Sequence, residues 1–131
     1  MIQLDARSER NLTGVKSDLV AVVRRAHEIM DGQLAASGGL SFIVIEGLRT
    51  SVRQAELVRA GASWTMKSKH LIGDAVDLAA TVNGEVRWDW ALYDKLASAV
   101  KGAAKELDTP IVWGGDWKKR DGPHFELAVR A

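Results

Sequence analysis

Apolar residues at Leu12, Val15, Leu19, Val22, Val23, Ala26, Ile29 and Met30 recur every three or four positions, the spacing that lays one stripe along a helix. One or two helices are expected there, with Ser8 and Ser17 as N-caps and Gly32 as a stop. A turn at Ser37 to Gly39 then gives way to Leu40 to Ile45, a short apolar run with β-branched residues that suits a buried strand. After Glu46-Gly47-Leu48-Arg49, Thr50 or Ser51 caps a further helix to about Ala60, with Val52, Ala55, Leu57 and Val58 as its apolar face and Gly61 ending it. A polar loop, Ala62 to Lys69, follows.

From Ala75 to Ala79 the pattern fits a strand, placing Ala75, Asp77 and Ala79 on one face and Val76 and Leu78 on the other. Asn83-Gly84 reads as a hairpin-type turn. Asp89 can cap a long helix from Trp90 to about Leu107, ended near Pro110. Ile111 to Trp113 and His124 to Leu127 are further short strands. Helices first, then strands joined by tight turns around one long helix, predict an α+β domain with a small antiparallel sheet flanked by helices.

Composition narrows the function. A chain of 131 residues, 47% hydrophobic, supports one domain spanning 1–131 with a real core. Lys plus Arg number 18 against 17 acidic residues, so the net charge of +1 creates no field that would favour nucleic acid. Without cysteine, a disulfide framework, a thiolate nucleophile and a Cys-ligated zinc are all excluded, leaving His, Asp and Glu to carry any metal chemistry. The polar stretch from Met1 to Arg10 lacks the form of a secretory signal, and no apolar run approaches the roughly 20 residues of a membrane span. A soluble protein of the cytosol without a membrane anchor is expected.

Candidate chemistry is concentrated in two segments. Ser68-Lys69-His70-Leu71-Ile72-Gly73-Asp74-Ala75-Val76-Asp77 sets an imidazole and a carboxylate seven residues apart, with Gly73 allowing a sharp turn between them. Asp121-Gly122-Pro123-His124 adds a second imidazole and a carboxylate on a turn stiffened by Pro123. Two His and one Asp form the three-ligand set that leaves zinc's fourth position for water, as catalytic sites do. Asp121 is then the candidate general base, close to a ligand without needing to be one. Arg49, at the end of a buried strand, could stabilise an oxyanion, although the sequence alone does not single it out.

The Ser-x-His, Gly-x-Ala-x-Asp and Asp-x-x-His elements stand in the order found in a known zinc peptidase family. The chain resembles the D-alanyl-D-alanine carboxypeptidase and L-alanyl-D-glutamate endopeptidase family, which shares its fold with the hedgehog signalling domain. Within that family it is most similar to phage endolysins. Glu46 to Thr50, Ser68 to Asp77, Trp113-Gly114-Gly115-Asp116-Trp117 and Gly122 to Leu127 all match family motifs.

The resemblance implies one zinc ion per chain on His70, Asp77 and His124, with Asp121 as base and acid, Arg49 at the oxyanion and Ser68 beside the metal or the substrate. It further implies hydrolysis of the L-alanyl–D-glutamate bond of peptidoglycan stem peptides; a monomer that accumulates in the host cytoplasm and reaches the wall once the membrane is opened is expected. Two other activities fit the same fold: a D-alanyl-D-alanine carboxypeptidase, and a non-catalytic binding domain stabilised by zinc. Asp121 stands where carboxypeptidases and dipeptidases of the family commonly carry Glu, which favours the endolysin branch.

Several residues have more ordinary readings. His27, beside Arg24, Arg25 and Glu28, is expected on a solvated helix face. Of Trp64, Trp88, Trp90, Trp113 and Trp117, most should serve packing, with Trp113 and Trp117 the two that could border the cleft. Glu126 could orient the His124 ring or be an exposed strand carboxylate. Asp116 is a turn residue or a neighbour of the site. Lys118, Lys119 and Arg120 are a solvated charge run or an attraction for acidic wall components.

Overall fold

In the computed structural model of the chain, which describes residues 4–63 and 68–128, the amphipathic N-terminal stretch forms two helices, α1 (Ala6–Asn11) and α2 (Ser17–Asp31). The caps differ from expectation. Asp5 opens α1 by accepting the Ser8 N–H at 2.8 Å, and α2 begins behind Lys16 with no side-chain cap. Ser8 is instead fully buried, accepting the Val44 N–H at 2.9 Å while Asn11 donates to the Val44 carbonyl at 2.8 Å. Through these two bonds α1 satisfies the outward polar groups of an edge strand, which would otherwise invite another chain to pair.

That strand is β1 (Leu40–Glu46), one residue longer than the apolar run suggested. Leu40, Phe42 and Val44 point into the core with α2. Next comes α3 (Ser51–Arg59), capped by Thr50, whose hydroxyl accepts the Arg53 N–H at 3.1 Å. Its inward face is not the expected apolar one: Val52 is 67% exposed, and the polar Gln54 is the residue wholly buried. β2 (Ala75–Val82) extends three residues beyond the predicted strand and sends Val76, Leu78 and Ala80 into the core. Asp77, between Val76 and Leu78 in the alternation, faces the other way.

Asn83 and Gly84 turn the chain at φ 51° and 87°, the double left-handed geometry of a hairpin turn, into the two-residue β3 (Glu85–Val86). α4 (Trp90–Glu106) packs along α2, and its Asp89 cap position makes an ion pair with Arg87 at 2.6 Å in place of a capping bond. β4 (Ile111–Trp113) and β5 (His124–Leu127) complete the sheet, ordered β1-β2-β5-β4 with β3 on the far end of β2, every pairing antiparallel. The α+β architecture follows the sequence reading. Its register sets Glu46 opposite Asp77 and Asp77 opposite His124, so three strands bring these residues side by side.

His27 departs from its solvated expectation. It is 7% exposed and meets Phe42 edge to face at 5.4 Å, because α2 is covered on two sides, by the sheet and by α4. Burial lowers its pKa, against the opposing pull of Asp31, Asp5 and Glu28. Trp113 is core, stacked 6.3 Å from Phe125, whereas Trp88 and Trp90 are exposed. Trp64 lies outside the described residues. Among the described residues no helix is long and apolar enough to cross a membrane.

Candidate metal centre

His70 sits in a short 3-10 turn, Lys69–Ile72, that Ser68 caps by accepting the His70 N–H at 3.2 Å. The turn closes on Gly73 at φ 76°, where a Cβ would lie 2.4 Å from the Gly14 carbonyl, so glycine is needed both for the left-handed backbone and for space. The His70 Nδ1 lies 2.8 Å from the Gly47 carbonyl. A carbonyl can only accept, so Nδ1 carries the proton and Nε2 presents a lone pair. On β5, His124 Nε2 lies 2.8 Å from Glu126 Oε1, which by the same reasoning leaves the Nδ1 lone pair free.

Both lone pairs face one oxygen. His70 Nε2 is 3.3 Å from Asp77 Oδ1 and His124 Nδ1 is 3.4 Å from it. His70 Nε2 and Asp77 Oδ1 are buried without any hydrogen-bond partner. Three electron-pair donors within 4.8 Å of one another, two of them out of water, repel unless a cation lies among them. Burial raises the Asp77 pKa, but a proton taken up by either imidazole would be shared with Asp77, and these contacts hold the carboxyl well below the usual range. His124 is pushed up, its burial outweighed by the carboxylates of Asp77 and Glu126. The donor set of two nitrogens and one oxygen suits zinc and leaves a position open.

Arg49 lines the cleft beside Asp77. Its guanidinium makes four hydrogen bonds: to Glu46 Oε1 at 2.6 Å and Oε2 at 2.9 Å, to Gln54 Oε1 at 2.7 Å, and to Ser68 Oγ at 3.5 Å. Its Nη2 also stands 3.7 Å from Asp77 Oδ2. In this arrangement the Arg49 donors meet Glu46, Gln54 and Ser68 while the guanidinium faces the cleft beside Asp77. The group is 9% exposed and ties the metal-facing carboxylate to the end of β1 and to α3. Gln54 extends the chain by donating to Ser63 Oγ at 2.8 Å.

A cleft of about 580 Å³ opens over these groups, lined by Ser68, Lys69, Trp117, Asp121 and Glu126 among others. Asp121 stands at its mouth on a turn held from several sides. The Gly114 carbonyl accepts the Asp121 N–H at 2.9 Å and that of Trp117 at 3.2 Å, and Trp113 Nε1 donates to the Gly122 carbonyl at 2.7 Å. Crowding by the cleft and the Asp77 charge push the Asp121 pKa up, while His124, His70 and Arg49 pull it down. Trp117 places its ring 5.0 Å from that of His124. Trp113 supports the turn from below. Asp116 is a surface residue, 57% exposed and paired with Lys101 at 2.7 Å, away from the cleft lining. In the charge run, Arg120 lies over the Trp90 ring at 3.9 Å and donates to the Gly115 carbonyl at 2.6 Å.

Glu46, Gln54, Lys69 and the Gly47 carbonyl belong to the site but did not stand out as functional in the sequence. Glu46 lies in a motif that does; Gln54, a polar residue in an otherwise ordinary helix, gives no such signal.

Comparison with known proteins gives the family. The chain is 33% identical over 124 residues to the L-alanyl-D-glutamate peptidase of Escherichia phage T5, covering 92% of this chain and 85% of that one. It is 31% identical over 130 residues to the peptidoglycan L-alanyl-D-glutamate endopeptidase CwlK of Bacillus subtilis, covering 86% and 75%. Against the L-alanyl-D-glutamate peptidase of Listeria phage A118 the identity is 33%, over 93% of this chain and 41% of that longer protein. The crystal structure of the Serratia marcescens L-Ala D-Glu endopeptidase ChiX superposes with a TM-score of 0.82 at 47% identity, covering 97% and 90%. With residues 1–128 matching the sequence model of the family, the chain belongs to the phage L-alanyl-D-glutamate peptidases.

Proposed function

We propose that this protein is a zinc peptidase that hydrolyses the L-alanyl–D-glutamate bond of peptidoglycan stem peptides. The reading is supported by one observation: the lone pairs of His70 Nε2, Asp77 Oδ1 and His124 Nδ1 converge within 4.8 Å of one another, the first two buried without a hydrogen-bond partner. Zinc, when bound, acidifies water towards a pKa of about 7 and polarises a carbonyl oxygen.

The chain's own residues do the rest. Asp121, poised at the cleft mouth, takes a proton from the attacking water and returns it to the glutamyl nitrogen as the C–N bond breaks. Glu126 fixes the His124 ring, and the Gly47 carbonyl fixes the His70 ring, so both rings keep the tautomer that ligation requires. Arg49 holds Asp77 in place. Ser68 braces the turn that carries His70 and contacts Arg49. Trp117 offers a flat apolar wall to the substrate backbone.

The protein would meet its substrate at the wall once the host membrane is opened. Digestion of purified peptidoglycan followed by mass spectrometry tests the reading. New amino-terminal D-glutamate and carboxyl-terminal L-alanine are expected. Release of free D-alanine would establish the carboxypeptidase instead, and no new termini would leave a zinc-stabilised binding domain.

A further inference from the structure

The cleft is lined by four carboxylates, Glu46, Asp77, Asp121 and Glu126, and its substrate would itself carry a negative charge. A glutamyl residue has two carboxyl groups and the peptide continues through one of them, which leaves a free carboxylate close to the scissile nitrogen. Zinc, when bound, and Arg49 offset the carboxylates that hold them, which leaves the substrate's own carboxylate to be met by a further cation. Among the described residues lining the cleft, Arg49 and Lys69 are the cations, and the Arg49 guanidinium is already committed to Glu46, Gln54, Ser68 and Asp77.

Lys69 is differently placed. It begins the 3-10 turn, next to His70, with its side chain 31% exposed. Its ammonium is 3.8 Å from Glu126 Oε2, an attraction too long for a hydrogen bond. The other oxygen of Glu126 is bound to the His124 ring, so Glu126 cannot swing towards Lys69 without releasing that imidazole. The ammonium is thereby held one carboxylate away from the His124 ring, with no hydrogen-bond partner among the described residues for its three donors.

We propose that Lys69 binds the free carboxylate of the D-glutamyl residue and so selects acidic over amidated stem peptides; this rests on the peptidase reading above. The flexible stem and compact charge of lysine suit a single-point contact with a carboxylate arriving in solution. A charge-assisted hydrogen bond in a half-buried cleft corresponds to about a ten-fold preference.

The test compares kcat/KM for two synthetic stem peptides, one with D-glutamate and one with its free carboxylate converted to the carboxamide, in the wild type, Lys69→Met and Lys69→Arg. Wild type is expected to favour the acid by about ten-fold, Lys69→Met to bring the ratio near one, and Lys69→Arg to keep most of it. A wild-type ratio of one, or a Lys69→Met ratio equal to that of wild type, overturns the assignment of Lys69 alone. Failure of the wild type to cleave either peptide at the alanyl–glutamyl bond overturns the peptidase reading and this assignment together.

Discussion

The chemistry of single atoms decides most of this site. Each imidazole has one nitrogen protonated against an acceptor behind it, and the remaining lone pairs meet at Asp77 Oδ1. Arg49 governs how firmly that oxygen is held. Replacing it by Lys removes the fork that grips Glu46 and Gln54 together, and zinc affinity should fall about 10- to 100-fold in competition with a chromogenic chelator. Unchanged affinity would show that Asp77 holds itself. His27, remote from the metal, gives a pH effect. Burial lowers its folded pKa below the unfolded value near 6.5, so unfolding takes up a proton below that pH and stability declines as pH falls towards the folded pKa. Between about pH 7 and 5 the melting temperature of wild type should therefore fall more steeply than that of His27→Gln. His70, Asp77 and His124 are legible in the sequence because ligand types and spacing are local properties. Gln54 and the buried state of His27 are not, since both depend on which neighbouring element covers a helix face.

At the scale of elements, register is the device that assembles the site. Pairing of Glu46 with Asp77 and of Asp77 with His124 aligns residues from three strands, and the turn before β5 brings Asp121 to the same end. Gly114 anchors that turn, and a Cβ there would come within 2.4 Å of the Asp121 carbonyl and 3.1 Å of the His124 Cβ. Gly114→Ala should accordingly lower hydrolysis by at least ten-fold while far-UV circular dichroism stays native; full activity would show that the turn is not what places Asp121. At the other edge, Ser8→Ala leaves the Val44 N–H without its acceptor and should cost about 1–3 kcal/mol in urea unfolding. Strand and helix positions were largely readable from apolar spacing. The lengths of β1 and β2 were not, because partner strands sustain Glu46 and residues 80–82 where composition alone gives no reason to continue.

The whole molecule is an α+β domain that places its core on one face of the sheet and its chemistry on the other. Such a division lets a cluster of buried lone pairs be tolerated at one end while Phe42, Leu78, Leu96 and Phe125 hold the rest together. Metal binding to the native state alone should raise stability with the logarithm of zinc concentration. Chelation should lower the melting temperature, added zinc should restore it, and the paired variant His70→Ala should show no response. The order of the motifs along the chain already pointed to this family, because the ligand-bearing segments are short stretches readable without knowledge of the packing. In the proposed mechanism the centre is catalytic, and Asp121 makes it so. The most direct test is to measure zinc content and wall hydrolysis on one preparation of Asp121→Ala. One zinc per chain with hydrolysis lost is expected, whereas unimpaired hydrolysis would contradict the account.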